Sequence, residues 1–102
     1  MLPKPPYYAV IFTSKRTDSE AGEYNQMANR MVELAKRQKG FLGMESARSE
    51  LGITVSYWES LEAIATWKQH VEHQVAQKLG RERWYENFVV RIAKVEREYR
   101  FP

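Results

Sequence analysis

The sequence predicts a single α+β domain of ferredoxin-like type, ordered β-α-β-β-α-β, with a four-stranded antiparallel sheet and two helices on one face. Three observations carry that expectation. Two stretches repeat apolar residues at helical spacing, a pair of short strand-like runs lies between them, and one further strand-like run flanks each end. Short right-handed connections join such elements in only a few ways.

Residues 1–6 hold three of the four prolines and read as an extended lead-in, so the domain is expected to occupy residues 7–102. The first strand is Tyr7 to Thr13, β-branched or aromatic almost throughout and apolar on both sides of the alternation, as a strand covered on both faces would be. Thr17 with Glu20 fits a capping box, and Tyr24, Met27, Ala28, Met31, Leu34 and Ala35 trace one helical face. Gly22 weakens the first turn, which can move the helix start to Glu23. Lys36, Arg37 and Lys39 suit the negative end of the helix dipole, and Gly40 closes it.

Phe41 to Arg48 and Gly52 to Trp58 form a hairpin through the turn at Ser49 and Glu50. In its second strand Ile53, Val55 and Tyr57 share one face, Thr54, Ser56 and Trp58 the other. Ser60 is the next N-cap, followed by a helix from Leu61 through Ile64, Trp67 and Val71 toward Leu79 and Gly80. After the turn Arg81-Glu82-Arg83 the last strand starts near Phe88 and runs to Val95, with an alternating tail through Tyr99 and Phe101.

Two helices cover one side of such a sheet, yet the first, third and fourth strands carry bulk on both. Leaving that second side in water forfeits roughly 25 cal/mol for each Å² of apolar area. The expected cover is a second copy, giving a homodimer through the open sheet face, with the C-terminal strand crossing to the partner.

Composition narrows the function. With no cysteine, the 102-residue chain has no disulfide, thiolate metal site or cysteine nucleophile. Its net charge of +3 arises from interleaved acids and bases, which gives nucleic-acid binding little support. The third strand begins Leu51-Gly52-Ile53-Thr54-Val55, lacking the cation and the stacking rings of an RNA-recognition strand. No apolar run approaches the roughly 20 residues that cross a bilayer, and no secretion signal is read at the N-terminus, so a cytoplasmic protein is expected. The glycines form no phosphate-cradling loop, and no serine has nucleophile-elbow spacing.

Six residues stand out as site candidates. His70 and His73, three apart on the second helix, are the available general bases, since histidine takes up a proton near neutral pH. A third ligand for a shared metal is not evident, and none is expected. Trp67 and Trp84 offer stacking walls for a flat ligand, with packing as the alternative use. Tyr57 is a further lining candidate, although it and Trp58 point to opposite faces. Arg91 interrupts an apolar strand and requires an acidic partner, a solvent edge or an anionic ligand.

The stretch Tyr57-Trp58-Glu59-Ser60-Leu61-Glu62-Ala63-Ile64, followed by Trp67, His70 and His73, resembles the antibiotic biosynthesis monooxygenase-like family. The resemblance extends over nearly the whole chain from Tyr7. It implies a dimeric α+β barrel with a pocket between sheet and helices, used by some members to oxidise aromatic polyketides with dioxygen and without metal or flavin. Haem-degrading relatives place an asparagine on the first strand and a histidine ten residues after the helix tryptophan. Here the first strand has no asparagine and Gln77 stands ten residues after Trp67, which argues against haem and leaves no cofactor expected. The resemblance thus implies a cofactor-independent monooxygenase of a small aromatic or enolisable substrate. Its alternative is a non-catalytic barrel that binds a small hydrophobic molecule or serves in stress.

Overall fold

The computed structural model describes residues 4–16, 21–73 and 85–102, with the side chains of 21–28, 71–73 and 85 left aside. Its elements are β1 (Tyr7–Arg16), α1 (Ala21–Lys36), β2 (Phe41–Arg48), β3 (Gly52–Trp58), α2 (Leu61–His73) and β4 (Tyr85–Val95). They form one antiparallel sheet in the order β2-β3-β1-β4. This is the β-α-β-β-α-β order and ferredoxin-like topology expected from the sequence.

Three boundaries differ from that expectation. β1 continues past Thr13 to Arg16, and β4 begins at Tyr85 rather than Phe88, because the two strands pair over their whole length, from Tyr7 opposite Val95 to Arg16 opposite Tyr85. The polar residues Ser14, Lys15 and Arg16 have little strand propensity of their own; the ladder to β4 holds them. α1 begins at Ala21, so Gly22 lies inside its first turn. The capping box at Thr17 and Glu20, the far end of the second helix toward Leu79 and Gly80, and the turn Arg81-Glu82-Arg83 lie outside the described residues.

The core sits between the sheet and the helices. Val10, Trp58, Ala35 of α1 and Ile64 of α2 are its buried centre, with Tyr8, Phe41, Met44, Ala63 and Trp67 packed around them. A register shift in β2 makes this possible. Phe41 pairs with Trp58 and Gly43 with Tyr57, which leaves Leu42 as an extra residue. In a regular strand Phe41 and Met44 would point to opposite faces; the bulge brings both onto the core.

The hairpin and α2 lock together at a corner. Gly40 has φ 90°, the left-handed conformation that ends α1's connection, and its carbonyl accepts from the Glu59 amide at 2.8 Å. Ser60 Oγ accepts from the Ala63 amide at 3.0 Å, the N-cap bond that the sequence indicates. This corner fixes where α2 leaves the sheet and therefore where Trp67 lands.

The opposite sheet face carries Tyr7, Ala9, Ile11, Val55 and Tyr57. Tyr7 and Ala9 are buried, whereas Ile53 and Val89 are 45% and 44% exposed. Beyond β4, residues 96–102 are irregular. Tyr7 donates to Glu98 Oε2 at 2.7 Å, while Tyr99 and Phe101 stand 85% and 99% exposed.

Candidate functional site

Trp67 lies on α2 one turn beyond Ile64, facing the sheet. Its ring tilts over Trp58 with centroids 5.1 Å apart and planes at 35°, and Phe41 meets Trp58 edge-on at 5.4 Å. The two indoles differ in how their N–H groups are met. Trp58, wholly buried, donates to Ser56 Oγ at 2.9 Å, whereas Trp67 Nε1 is buried with no hydrogen-bond partner among the described residues. Ser56 can serve Trp58 because residues two apart on a strand share a face. Among the described residues no acceptor is so placed for Trp67.

A buried donor left unpaired costs about 1–3 kcal/mol, so native structures rarely keep one without a use. Trp67 Nε1 is such a donor, unmet among the described residues, beside an aromatic surface. That arrangement can bind and orient a flat molecule through a carbonyl, phenol or enolate oxygen.

The other candidates are distributed differently. His70 follows Trp67 by three residues, on a neighbouring strip of α2, and is exposed. His73 is the last residue of α2; its side chain is not described, and Trp84 lies outside the described residues. Tyr57 and Arg91 occupy the sheet face away from α2. Tyr57 pairs with Ala9, meets Tyr7 edge-on at 5.8 Å and donates to Glu45 Oε2 at 2.9 Å; Arg91 pairs with Ile11 and is exposed. The fold thus brings Trp67 and His70 to one helix and puts Tyr57 and Arg91 across the sheet from Trp67. Among the described residues, no group of three or more His, Asp or Glu side chains is placed to hold a metal ion.

The second sheet face has its own polar chemistry. Tyr7 and Tyr57 each donate to a carboxylate, and both phenols are held above their ordinary pKa of 10.0. For Tyr7 the bond to Glu98 is the main cause, followed by burial; for Tyr57 burial leads, followed by the bond to Glu45. Neither bond was legible in the sequence. Glu98 is 91 positions from Tyr7, and no local spacing signals such a pair.

Fold and site together define a ferredoxin-like α+β protein with an aromatic, donor-bearing contact between its second helix and its sheet. Residues 7–79 match the antibiotic biosynthesis monooxygenase family, and the chain belongs to that family. It is 54% identical over 101 residues to the uncharacterised protein YqjZ of Bacillus subtilis, covering 97% of this chain and 88% of that one. Among solved structures it is similar to PA3566 from Pseudomonas aeruginosa, with a TM-score of 0.69 at 18% identity, covering 95% of this chain and 99% of that one. It is also similar to SnoaB, a cofactor-independent oxygenase from Streptomyces nogalater, with a TM-score of 0.68 at 11% identity, covering 96% and 99% of the two chains. At these identities the two structures speak to the fold.

Proposed function

We propose that the protein is a cofactor-independent monooxygenase of a small aromatic or enolisable substrate, bound between α2 and the sheet. The observation that carries the reading is the buried, unpartnered indole N–H of Trp67 beside the Trp58 ring. Family membership and the likeness to a cofactor-independent oxygenase support it. In this reading Trp67 donates to the substrate oxygen and stabilises the negative charge that grows there, and Trp84 adds stacking surface. His73 or His70 removes a proton from the activated carbon. The resulting carbanion passes electrons to dioxygen. One oxygen atom ends as the new substrate carbonyl and the other leaves as water with the two hydrogens lost from carbon, so substrate and dioxygen balance without another reductant.

The working unit is a homodimer. The half-exposed Ile53 and Val89 on the second sheet face and the bare aromatic tail support assembly through that face and the C-terminal segment. Tyr57 and Arg91, on the same side, then belong to the contact between subunits or to a cavity it encloses.

Oxygen uptake with anthrone tests the chemistry, comparing the native protein with Trp67→Phe, His70→Ala and His73→Ala. Trp67→Phe keeps a ring and removes the donor. We expect its turnover to fall on the order of a hundredfold. Its stability should change by less than about 1 kcal/mol, because no protein hydrogen bond is broken. One histidine variant should lose activity with it. Uptake that is equal in all four proteins, or absent from the native one while anthrone still raises its melting temperature, replaces catalysis by the non-catalytic ligand-binding reading.

A further inference from the structure

On the sheet face away from the helices, opposite charges stand at opposite edges of one row. Strand register sets Glu45 of β2, Val55 of β3, Ile11 of β1 and Arg91 of β4 side by side across that face. Glu45 and Arg91 are exposed, whereas Ile11 and Val55 between them are half-buried. The two charged residues are three strand spacings apart, about 14 Å, and do not meet within one subunit. Among the described residues Arg91 has no ion pair. Glu45 accepts from the Tyr57 hydroxyl at 2.9 Å, which holds its carboxylate on this face.

A second copy answers both charges if a two-fold axis runs along the strands, midway between two facing sheets. Such an axis lays β2 over the partner's β4 and β3 over the partner's β1, and sets each row against its own copy. Glu45 then faces the partner's Arg91, Arg91 faces the partner's Glu45, and the aliphatic pair closes between them. Facing sheets lie about 10 Å apart, a gap that a glutamate and an arginine reaching toward each other span. The neighbouring rows fit the same axis. Gly43, Tyr57, Ala9 and Ala93 are in register, so the bulky Tyr57 meets the partner's Ala9 and Gly43 meets the partner's Ala93. On the other side Ile53 and Val89, 45% and 44% exposed, are covered by the partner's Thr13 and the partner's Ala47. An axis across the strands through the charged row would instead set β2 on β2 and β4 on β4, carboxylate against carboxylate and guanidinium against guanidinium. Like charges so placed oppose association.

We propose that two symmetry-related ion pairs, each from Glu45 to the partner's Arg91, set the register of the homodimer, with Tyr57 bracing each carboxylate. The pairing rests on the homodimer reading and adds the axis and the residues of its contact. Sedimentation equilibrium tests it on Glu45→Arg, on Arg91→Glu, on an equimolar mixture of the two and on the double variant. Each single reversal puts two like-charged contacts into its dimer and should weaken self-association at least about a hundredfold. In the mixed dimer every contact again joins a carboxylate to a guanidinium. The mixture should therefore associate within about tenfold of the native protein although neither component does so alone, and the double variant should match it. A pair formed inside one subunit could not give rescue by mixing. Single variants that dimerise as the native protein does, or a mixture no tighter than its components, would overturn the pairing and leave the dimer itself standing. A native monomer at micromolar concentration would remove the homodimer and the pairing together. If Glu45→Arg fails to fold once Tyr57 loses its acceptor, Arg91→Glu against Arg91→Gln decides. The reversal should then weaken the dimer at least about tenfold more than the neutral variant, and equal effects would overturn the pair.

Discussion

Trp58 and Trp67 stack in the same core, yet among the described residues Trp58 has an acceptor for its N–H and Trp67 has none, and the proposed binding role of Trp67 rests on that difference. The same contrast between met and unmet polar groups governs the tyrosines. Tyr7 and Tyr57 are neutral donors to carboxylates, and ionising either would set a phenolate against Glu98 or Glu45. Both pKa values are raised in the folded chain, so their stabilising bonds are fully present below the ordinary value of 10.0 and are lost as pH rises beyond it through the folded values. In a spectrophotometric titration, Tyr7 and Tyr57 should ionise above the ordinary value of 10.0. Tyr7→Phe should remove one of these raised ionisations, and its melting temperature should lie below that of the native protein at neutral pH and approach it as pH rises beyond 10.0. Ionisation of Tyr7 at the ordinary value would show that its carboxylate bond does not form in solution.

At the scale of elements, the placement of α2 rests on a corner built from Gly40, Glu59 and Ser60. A side chain at Gly40 faces two penalties. The residue holds φ 90°, and a Cβ there would lie 2.7 Å from Ala63 Cβ on α2. Gly40→Ala should therefore cost about 2 kcal/mol in urea unfolding, more than the left-handed backbone alone demands, since α2 must also shift. A double variant with Ala63→Gly should recover part of the loss; no recovery would place the cost in the backbone conformation alone. The corner also explains why Ser60 was readable as an N-cap while the β2 bulge was not. A cap is a bond between residues three apart in sequence, whereas the bulge at Leu42 exists to reconcile β2 with β3 and the core. The ends of β1 and β4 were misplaced for a related reason, because ladder pairing between distant strands extends them through polar residues.

At the scale of the whole molecule, the proposed dimer forms through the second sheet face and the tail. Tyr99 and Phe101 project from a segment tied back to β1 by the Tyr7–Glu98 bond, with Arg100 3.7 Å from the same carboxylate oxygen. Burying two aromatic side chains in a partner is worth several kcal/mol, about 1.5–3 for each. Tyr99→Ser combined with Phe101→Ser should weaken self-association by at least about a hundredfold in sedimentation equilibrium, without lowering the β-sheet signal in circular dichroism. A native protein that sediments as a monomer at micromolar concentration would refute assembly through this face.

Element order, the four-stranded topology, the Ser60 cap and the family were all determined by the sequence itself, because hydrophobic period, turn residues and the run from Tyr57 to Trp67 are properties of neighbouring positions. Tertiary structure alone decided which polar groups are met: that the buried Trp67 N–H has no partner among the described residues, that Tyr57 and Arg91 stand across the sheet from it, that Glu98 returns to Tyr7, and that Arg48 lies on Gly52 against Ser14. Those outcomes depend on register and on chain segments brought together from far apart, and a hydrogen bond is won or lost over less than an ångström, a scale that no one-dimensional pattern records.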